Sequence, residues 1–228
     1  MAAETRVVLV TGGSSGLGAA VADAIAEAGF EPATLDVRPA RNGNRHVEVD
    51  LADSRAAEAA VREIAAQDGL YGVVTAAGID ACGRLEDVSA EAWERVVAVN
   101  LLGTAAVVRA ALPFLEASRG RVVTVASTLG LRALPDATAY CASKFGIVGF
   151  TRALAAEMAG RIGVTLLVPG GMRTAFFDGR PAQYRPGPDA DLNDPADVAQ
   201  AVVFALTRPE GCEVRELLVA AAGEPSWP

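Results

Sequence analysis

The chain has 228 residues, 51% of them hydrophobic, with a formal net charge of −8, three cysteines and one histidine. That length suits one α/β domain with a sizeable core, and the acidic balance with scattered arginines argues against nucleic acid or an anionic membrane surface as partner, since both reward basic patches. Cys82, Cys141 and Cys212 form no CxxC pair and no metal-ligand spacing, and no basic region followed by a long apolar run opens the chain, so reduced thiols in a cytoplasmic protein are expected, with no membrane span and no metal.

In chain order, short apolar runs alternate with helical stretches. "RVVLVTG" from Arg6 leads into a glycine-rich turn, after which Leu17, Val21, Ala24, Ile25 and Ala28 form one helical stripe that Gly29 stops. "EPATLDV" from Glu31 and "RHVEVD" from Arg45 follow, the second alternating like a strand and carrying His46 as a structural residue. A helix is predicted near 54–66, a strand in "YGVVTAAG" from Tyr71, and a helix over 90–117. Then come a strand in "RVVTVAS" from Arg121, a helix near 137–159 and a strand in "GVTLLVPG" from Gly163. Residues 171–194, rich in Pro, Gly and Asp, read as a binding loop. A helix at 196–206 is introduced by Asp194 as N-cap and Pro195 at its first position, and "RELLVA" from Arg215 closes the set. Runs such as Val7 to Val10 and Val122 to Val125 are apolar without alternation, as parallel strands covered on both faces are. The pattern predicts a single Rossmann-type domain over 1–228, a doubly wound parallel sheet of about seven strands with helices on both faces.

The first turn, "VTGGSSGLGAAV", places Gly12, Gly13, Gly16 and Gly18 between strand and helix. Glycines there let the backbone approach a pyrophosphate, and the helix N-terminus offers free amides and a partial positive charge. Valine at 21 breaks GxGxxG and no GK[ST] follows, so from this stretch alone a plain flexible turn is the alternative. The pattern TGxxxGxG, here Thr11, Gly12, Gly16 and Gly18, resembles that of the short-chain dehydrogenase/reductases. The resemblance implies a nicotinamide dinucleotide cradled by this turn, with Ser14, Ser15 and Leu17 taking part. An independent check is a ribose-reading carboxylate about 20 residues on, at the end of the second strand. Asp36 stands there, where it would accept from the adenosine ribose hydroxyls and repel a 2′-phosphate, favouring NAD over NADP. Arg38 and Arg41 oppose that preference. Asp50 and Leu51 resemble the family's adenine-contacting pair, an ordinary N-cap being the alternative for Asp50.

Hydride transfer at a carbinol carbon needs a proton at its oxygen, and no suitable histidine is present. Tyr140 and Lys144, the chain's only lysine, lie four residues apart, on one face of a helix. An ammonium about 4 Å from the phenol, at an effective dielectric near 20, is worth about 4 kcal/mol and would lower a pKa of about 10 by roughly 3 units. The family pattern adds a serine 13 residues before the tyrosine, matched by Ser127, to hold the substrate oxygen. It also adds an asparagine on the preceding helix, matched by Asn100, whose side chain would hold a proton-carrying water. "VPGGMRT" matches PGxxxT, which gives Pro169 and Gly170 the turn beneath the nicotinamide and Thr174 its carboxamide. One departure is Thr75–Ala76–Ala77–Gly78 where many members have NNAG. Ala77 and Gly78 are still expected against the cofactor, and local sheet bonding is what the change puts in question.

Leu129, Leu134, Cys141, Met172, Phe176, Phe177 and Tyr184 are expected to face the substrate, an apolar body around one carbonyl or hydroxyl. The alternative for Phe176 and Phe177 is a core cover, and Arg173 or Arg180 could clamp an anion. By the resemblance the chain is an NAD(H)-dependent oxidoreductase acting on a small-molecule alcohol or ketone as a homodimer or homotetramer; separately, Trp227 in the tail "GEPSWP" is expected to pack on a neighbouring subunit. The rivals are an NADPH-dependent 3-oxoacyl-type reductase and a non-catalytic dinucleotide sensor, the second opposed by an intact Asn100, Ser127, Tyr140 and Lys144.

Overall fold

A computed structural model of the chain describes residues 6–39 and 43–224; Arg41 and Trp227 lie outside the described residues. Seven strands, β1 (Val7–Thr11), β2 (Glu31–Asp36), β3 (Arg45–Glu48), β4 (Gly72–Thr75), β5 (Arg121–Val125), β6 (Gly163–Pro169) and β7 (Glu216–Val219), form one sheet in the order β3-β2-β1-β4-β5-β6-β7. All neighbours are parallel. The helices are α1 (Gly16–Glu27), α2 (Ser54–Asp68), α3 (Ala90–Val97), α4 (Thr104–Ser118), α5 (Thr138–Glu157) and α6 (Pro195–Leu206).

The unbroken apolar strands have a direct reason. Val7 and Leu9 of β1 pack with Ala57, Val61 and Ile64 of α2 and Val107, Ala111 and Leu115 of α4. The alternate residues Val8 and Val10 pack with Val21 and Ile25 of α1 and Val198, Val202 and Leu206 of α6. With both faces covered, each position of β1 is a core position, each such apolar side chain worth about 1.5–3 kcal/mol of transfer free energy. Strand order reverses between β1 and β4, which opens a crevice at their carboxyl ends.

One element differs from the sequence reading. The helix expected over 90–117 is interrupted by a π-helical segment at Ala98–Gly103. There the helix presses on the chain after β3: a Cβ added to Gly103 would lie 2.8 Å from Leu51 Cβ, and the wider turn carries Asn100. The whole stretch Ala90–Ser118 is also long and apolar enough to cross a membrane by composition; here Val99, Val107, Val108, Ala111 and Leu115 pack into the core while Leu102 is exposed. The 171–194 loop is held by main chain: Arg173 N donates to Asn193 O and Asn193 N to Gly171 O, both 2.9 Å. At the TAAG stretch Ala77 N donates to Thr11 Oγ1 at 3.1 Å, while the buried Thr75 hydroxyl has no partner. The strand ends are thus tied through Thr11 and not through Thr75.

Candidate active site

A cavity of about 1220 Å³ lies over the carboxyl ends of the central strands. One end is the glycine turn. Gly12 has φ +71°, and a Cβ there would lie 2.9 Å from Ala77 Cα; a Cβ on Gly18 would lie 2.2 Å from the Gly12 carbonyl oxygen. Only glycine lets α1 start this close to the turn. The Ser15 N-cap spends no side-chain bond on α1, so the first-turn amides, on the lining residues Gly16, Leu17 and Gly18, are free to receive an anion. A pyrophosphate fits this cradle.

Beside the turn, Asp36 accepts from Ser14 N through Oδ2 and from Arg38 N through Oδ1, both at 3.0 Å. The Arg38 guanidinium folds back over it, Nε 3.4 Å from Oδ1, and its far end bonds the Ser15 hydroxyl. Asp50 is no N-cap: Asp53 caps α2, while Asp50 accepts from Ala52 N and Arg95 at 2.9 Å, bonds that hold its carboxyl below the usual range against its desolvation. Asp50, Leu51, Ala77 and Gly78 line the cavity, and Thr174 faces Gly16 across it, 3.6 Å from a Cβ built there.

The other end holds the reacting groups. Ser127 follows β5, Tyr140 and Lys144 stand on α5, and all three line the cavity with Pro169 and Gly170. Burial pushes the Tyr140 phenol up to about 12, with a hydrogen bond from Ser127 pulling it down, Asp80 raising it and Arg180 lowering it. Burial draws Lys144 down to about 8. The expected lowering of the phenol towards neutrality is therefore corrected. The Lys144 ammonium donates to the Val125 carbonyl at 2.8 Å and stands 5.6 Å from the Tyr140 ring centre, so desolvation outweighs the pairing.

Of the substrate-facing residues, Leu129, Leu134, Met172, Phe176 and Phe177 line the cavity, and the Phe176 ring lies 5.7 Å from that of Tyr140. Five expectations are corrected. Cys141 is buried in α5 outside the lining, because its position turns away from the Tyr140 side of the helix. Tyr184 turns outward to donate to Asp136 at 3.2 Å. Thr11 and Ser14 also lie outside the lining, Thr11 accepting from Ala77 N and Ser14 fixed between Asp36 and the carbonyls of Arg38 and Pro39. Asn100 is buried behind Ile79: its Oδ1 accepts from Ile79 N, and its Nδ2 donates to Ile79 O and to the Ser143 hydroxyl, at 2.9–3.0 Å. Protein groups occupy three of that side chain's four hydrogen-bonding positions, so it braces the wall of the cavity.

The sequence reading did not single out Asp80, Cys82 or Glu224, which also line the cavity. Glu224 receives Gly171 N at 2.7 Å. An acid two residues beyond Gly78 was a usable signal for Asp80; nothing local marks Glu224, whose place depends on the chain's return across the sheet.

Fold, glycine cradle and cavity define a dinucleotide-binding oxidoreductase of the doubly wound α/β class. The family described as short chain dehydrogenase matches residues 6–185, and the chain belongs to it. It is 37% identical over 170 residues to the D-threitol dehydrogenase of Mycolicibacterium smegmatis, a match spanning 68% of this chain and 65% of that protein. It is 33% identical to 2-(S)-hydroxypropyl-CoM dehydrogenase 3 of Xanthobacter autotrophicus over 90% of both chains. The ligand-free aldohexose dehydrogenase of Thermoplasma acidophilum shares the fold, with TM-score 0.85 at 24% identity over 95% of this chain and 93% of that one.

Proposed function

We propose that the chain interconverts a secondary alcohol and a ketone with NAD(H). The observation that carries the reading is one cavity with a glycine cradle and the Asp36 carboxylate at one end and Ser127, Tyr140 and Lys144 at the other. Two relatives are named as dehydrogenases of hydroxyl-bearing compounds, which supports the same reaction class.

A nicotinamide dinucleotide supplies the hydride acceptor or donor. The amides of Gly16 to Gly18 would hold its pyrophosphate, Asp36 its adenosine ribose, and Thr174 its carboxamide. Ser127 holds the substrate oxygen by donating to it, and Tyr140 moves the proton at that oxygen. With its pKa raised to about 12, the phenol stays protonated at neutral pH and is set to donate in ketone reduction. Lys144, still mostly protonated at pH 7 with a pKa of about 8, supplies positive charge below the phenol and a donor for ribose hydroxyls.

The test follows NADH and NADPH oxidation with a panel of ketones, 3-oxoacyl thioesters and cyclic diketones. Wild-type turnover by Tyr140→Phe on any good substrate would overturn the mechanism. Two further expectations belong to the proposal. Exposed Leu102 and Phe145, on the π segment and α5, suit a contact between copies in a homodimer or homotetramer, which light scattering after chromatography tests. The free thiols of Cys82, Cys141 and Cys212 suit a reducing cytoplasm.

A further inference from the structure

The substrate end of the cavity carries a buried ion pair. Arg180 Nη2 lies 2.7 Å from Asp80 Oδ2, with the two side chains 17% and 6% exposed. Asp80 belongs to the segment after β4 and Arg180 to the 171–194 loop, so the pair joins two walls of the cavity, and both residues line it. The guanidinium lies over the rings of Phe176 and Phe177, 4.8 and 4.6 Å from their centres, and Phe176 packs in turn on Tyr140. Asp80 also accepts from the Cys82 thiol at 3.1 Å and from Ala81 N at 2.7 Å. The pair therefore reaches Tyr140 through one ring, since Phe176 lies between the Arg180 guanidinium and the Tyr140 ring.

Stability alone gives little reason for such a pair, since apolar residues of similar volume often serve a buried site equally well. The surrounding Leu129, Leu134, Phe176 and Phe177 already form an apolar wall. The pair is also incompletely satisfied: Arg180 Nε is buried without an acceptor, and Nη1 reaches only the Tyr184 carbonyl at 3.4 Å. A ligand group that joins the pair must donate to a carboxylate and accept from a guanidinium together. A hydroxyl does both; an ionised carboxylate or phosphate has no proton for Asp80, and an alkyl group does neither.

We propose that Asp80 and Arg180 are specificity-determining residues that select a polyhydroxylated alcohol, whose second hydroxyl, beyond the reacting carbon, donates to Asp80 and accepts from Arg180. The proposal rests on the oxidoreductase reading above, and it gives Arg180 a hydroxyl to bind where the sequence suggested an anion clamp in an otherwise apolar pocket. It predicts a substrate with an apolar side towards Phe176 and a hydroxyl-bearing side towards Asp80.

The experiment compares kcat/KM at saturating NAD⁺ for sec-butanol, a vicinal butanediol and a butanetetrol, which share one carbon count. Wild type prefers the polyols. In Asp80→Asn and Arg180→Met the ratio of polyol to sec-butanol kcat/KM falls by about 10- to 100-fold, the worth of one hydrogen bond to a charged group. Arg180→Lys, which keeps the charge and a donor, recovers part of that ratio and serves alone if the methionine variant does not fold. A wild type without polyol preference, or an equal loss on all three alcohols as from a mere latch between the walls, overturns the role of the pair. A wild type that binds NADH yet oxidises no alcohol overturns the oxidoreductase reading and the proposal with it.

Discussion

Lys144 directs its ammonium at the Val125 carbonyl, 2.8 Å away, from a position that is 4% exposed. One main-chain acceptor does not replace the water that burial removes, so the charged form is disfavoured in the fold and the pKa falls from 10.5 to about 8. The sign for stability follows. Between pH 8 and 10.5 the unfolded chain binds more protons than the folded one, so stability rises with pH through that window and the penalty is fully present below it. Lys144→Met should therefore be more stable than wild type at pH 7, by on the order of 3 kcal/mol before the lost Val125 bond is counted, and should lose the rise. Urea unfolding at pH 7 and pH 10 checks this; a less stable variant at pH 7 refutes it.

The phenol raised to about 12 makes a different statement about rate. Ketone reduction needs Tyr140 protonated, and below pH 10 that condition is met. The only basic limb in kcat/KM for reduction should then lie near pH 8, where Lys144 loses its proton, and it should vanish in Lys144→Met. Tyr140→Phe should lower kcat by about 10²- to 10⁴-fold with NADH binding retained, which is the usual worth of a positioned acid. A limb near 8 that survives in Lys144→Met would assign it to another group.

The sheet was legible because its central strands are buried on both faces: the apolar runs from Val7 and Val122 have the pattern such strands require, and the glycine spacing located the first turn. Ser127, Tyr140, Lys144 and Thr174 came from the spacing that the chain shares with the family, and the structure brings all four to one cavity, each at the end of a strand or on the helix after it. What did not read through was direction. The Asn100 side chain points at Ile79, Cys141 turns from the cavity, and the Lys144 ammonium points at Val125. Those are set by neighbours far away in sequence, which residue spacing does not contain. The Asp80–Arg180 pair is the extreme case, two residues 100 positions apart.

Asn100 is a structural clamp whose loss should be read in stability. It pairs both the N–H and the C=O of Ile79, next to Asp80, and through Ser143 it reaches the carbonyl of Tyr140, to which the Ser143 hydroxyl donates at 2.8 Å. Asn100→Ala strands those two main-chain groups and should cost about 1–3 kcal/mol in urea unfolding, with an unchanged m-value. A side chain serving only to hold a relay water would leave stability where it was, and an unmoved midpoint would restore that reading.

Arg38 bears on the choice between NAD and NADP. Its guanidinium is 56% exposed, while the Asp36 carboxyl beneath it is 5% exposed and already receives two main-chain amides. A ribose hydroxyl can still donate to Asp36, since each carboxylate oxygen has a second lone pair, but a 2′-phosphate would meet that charge at close range. Arg38 is the group able to offset the repulsion, because it reaches from Asp36 to Ser15 and is free to swing. NADH should thus bind more tightly than NADPH. Arg38→Ala should widen the gap by about tenfold or more, the loss of one charge-assisted phosphate contact. Asp36→Ala should narrow it while lowering stability by about 1–2 kcal/mol, since Ser14 N and Arg38 N lose their acceptor. Titrating the fluorescence of each reduced dinucleotide against wild type and both variants gives six dissociation constants and so the three ratios. Tighter NADPH binding by wild type, or an Arg38→Ala protein with the wild-type ratio, would show that neither residue governs the choice.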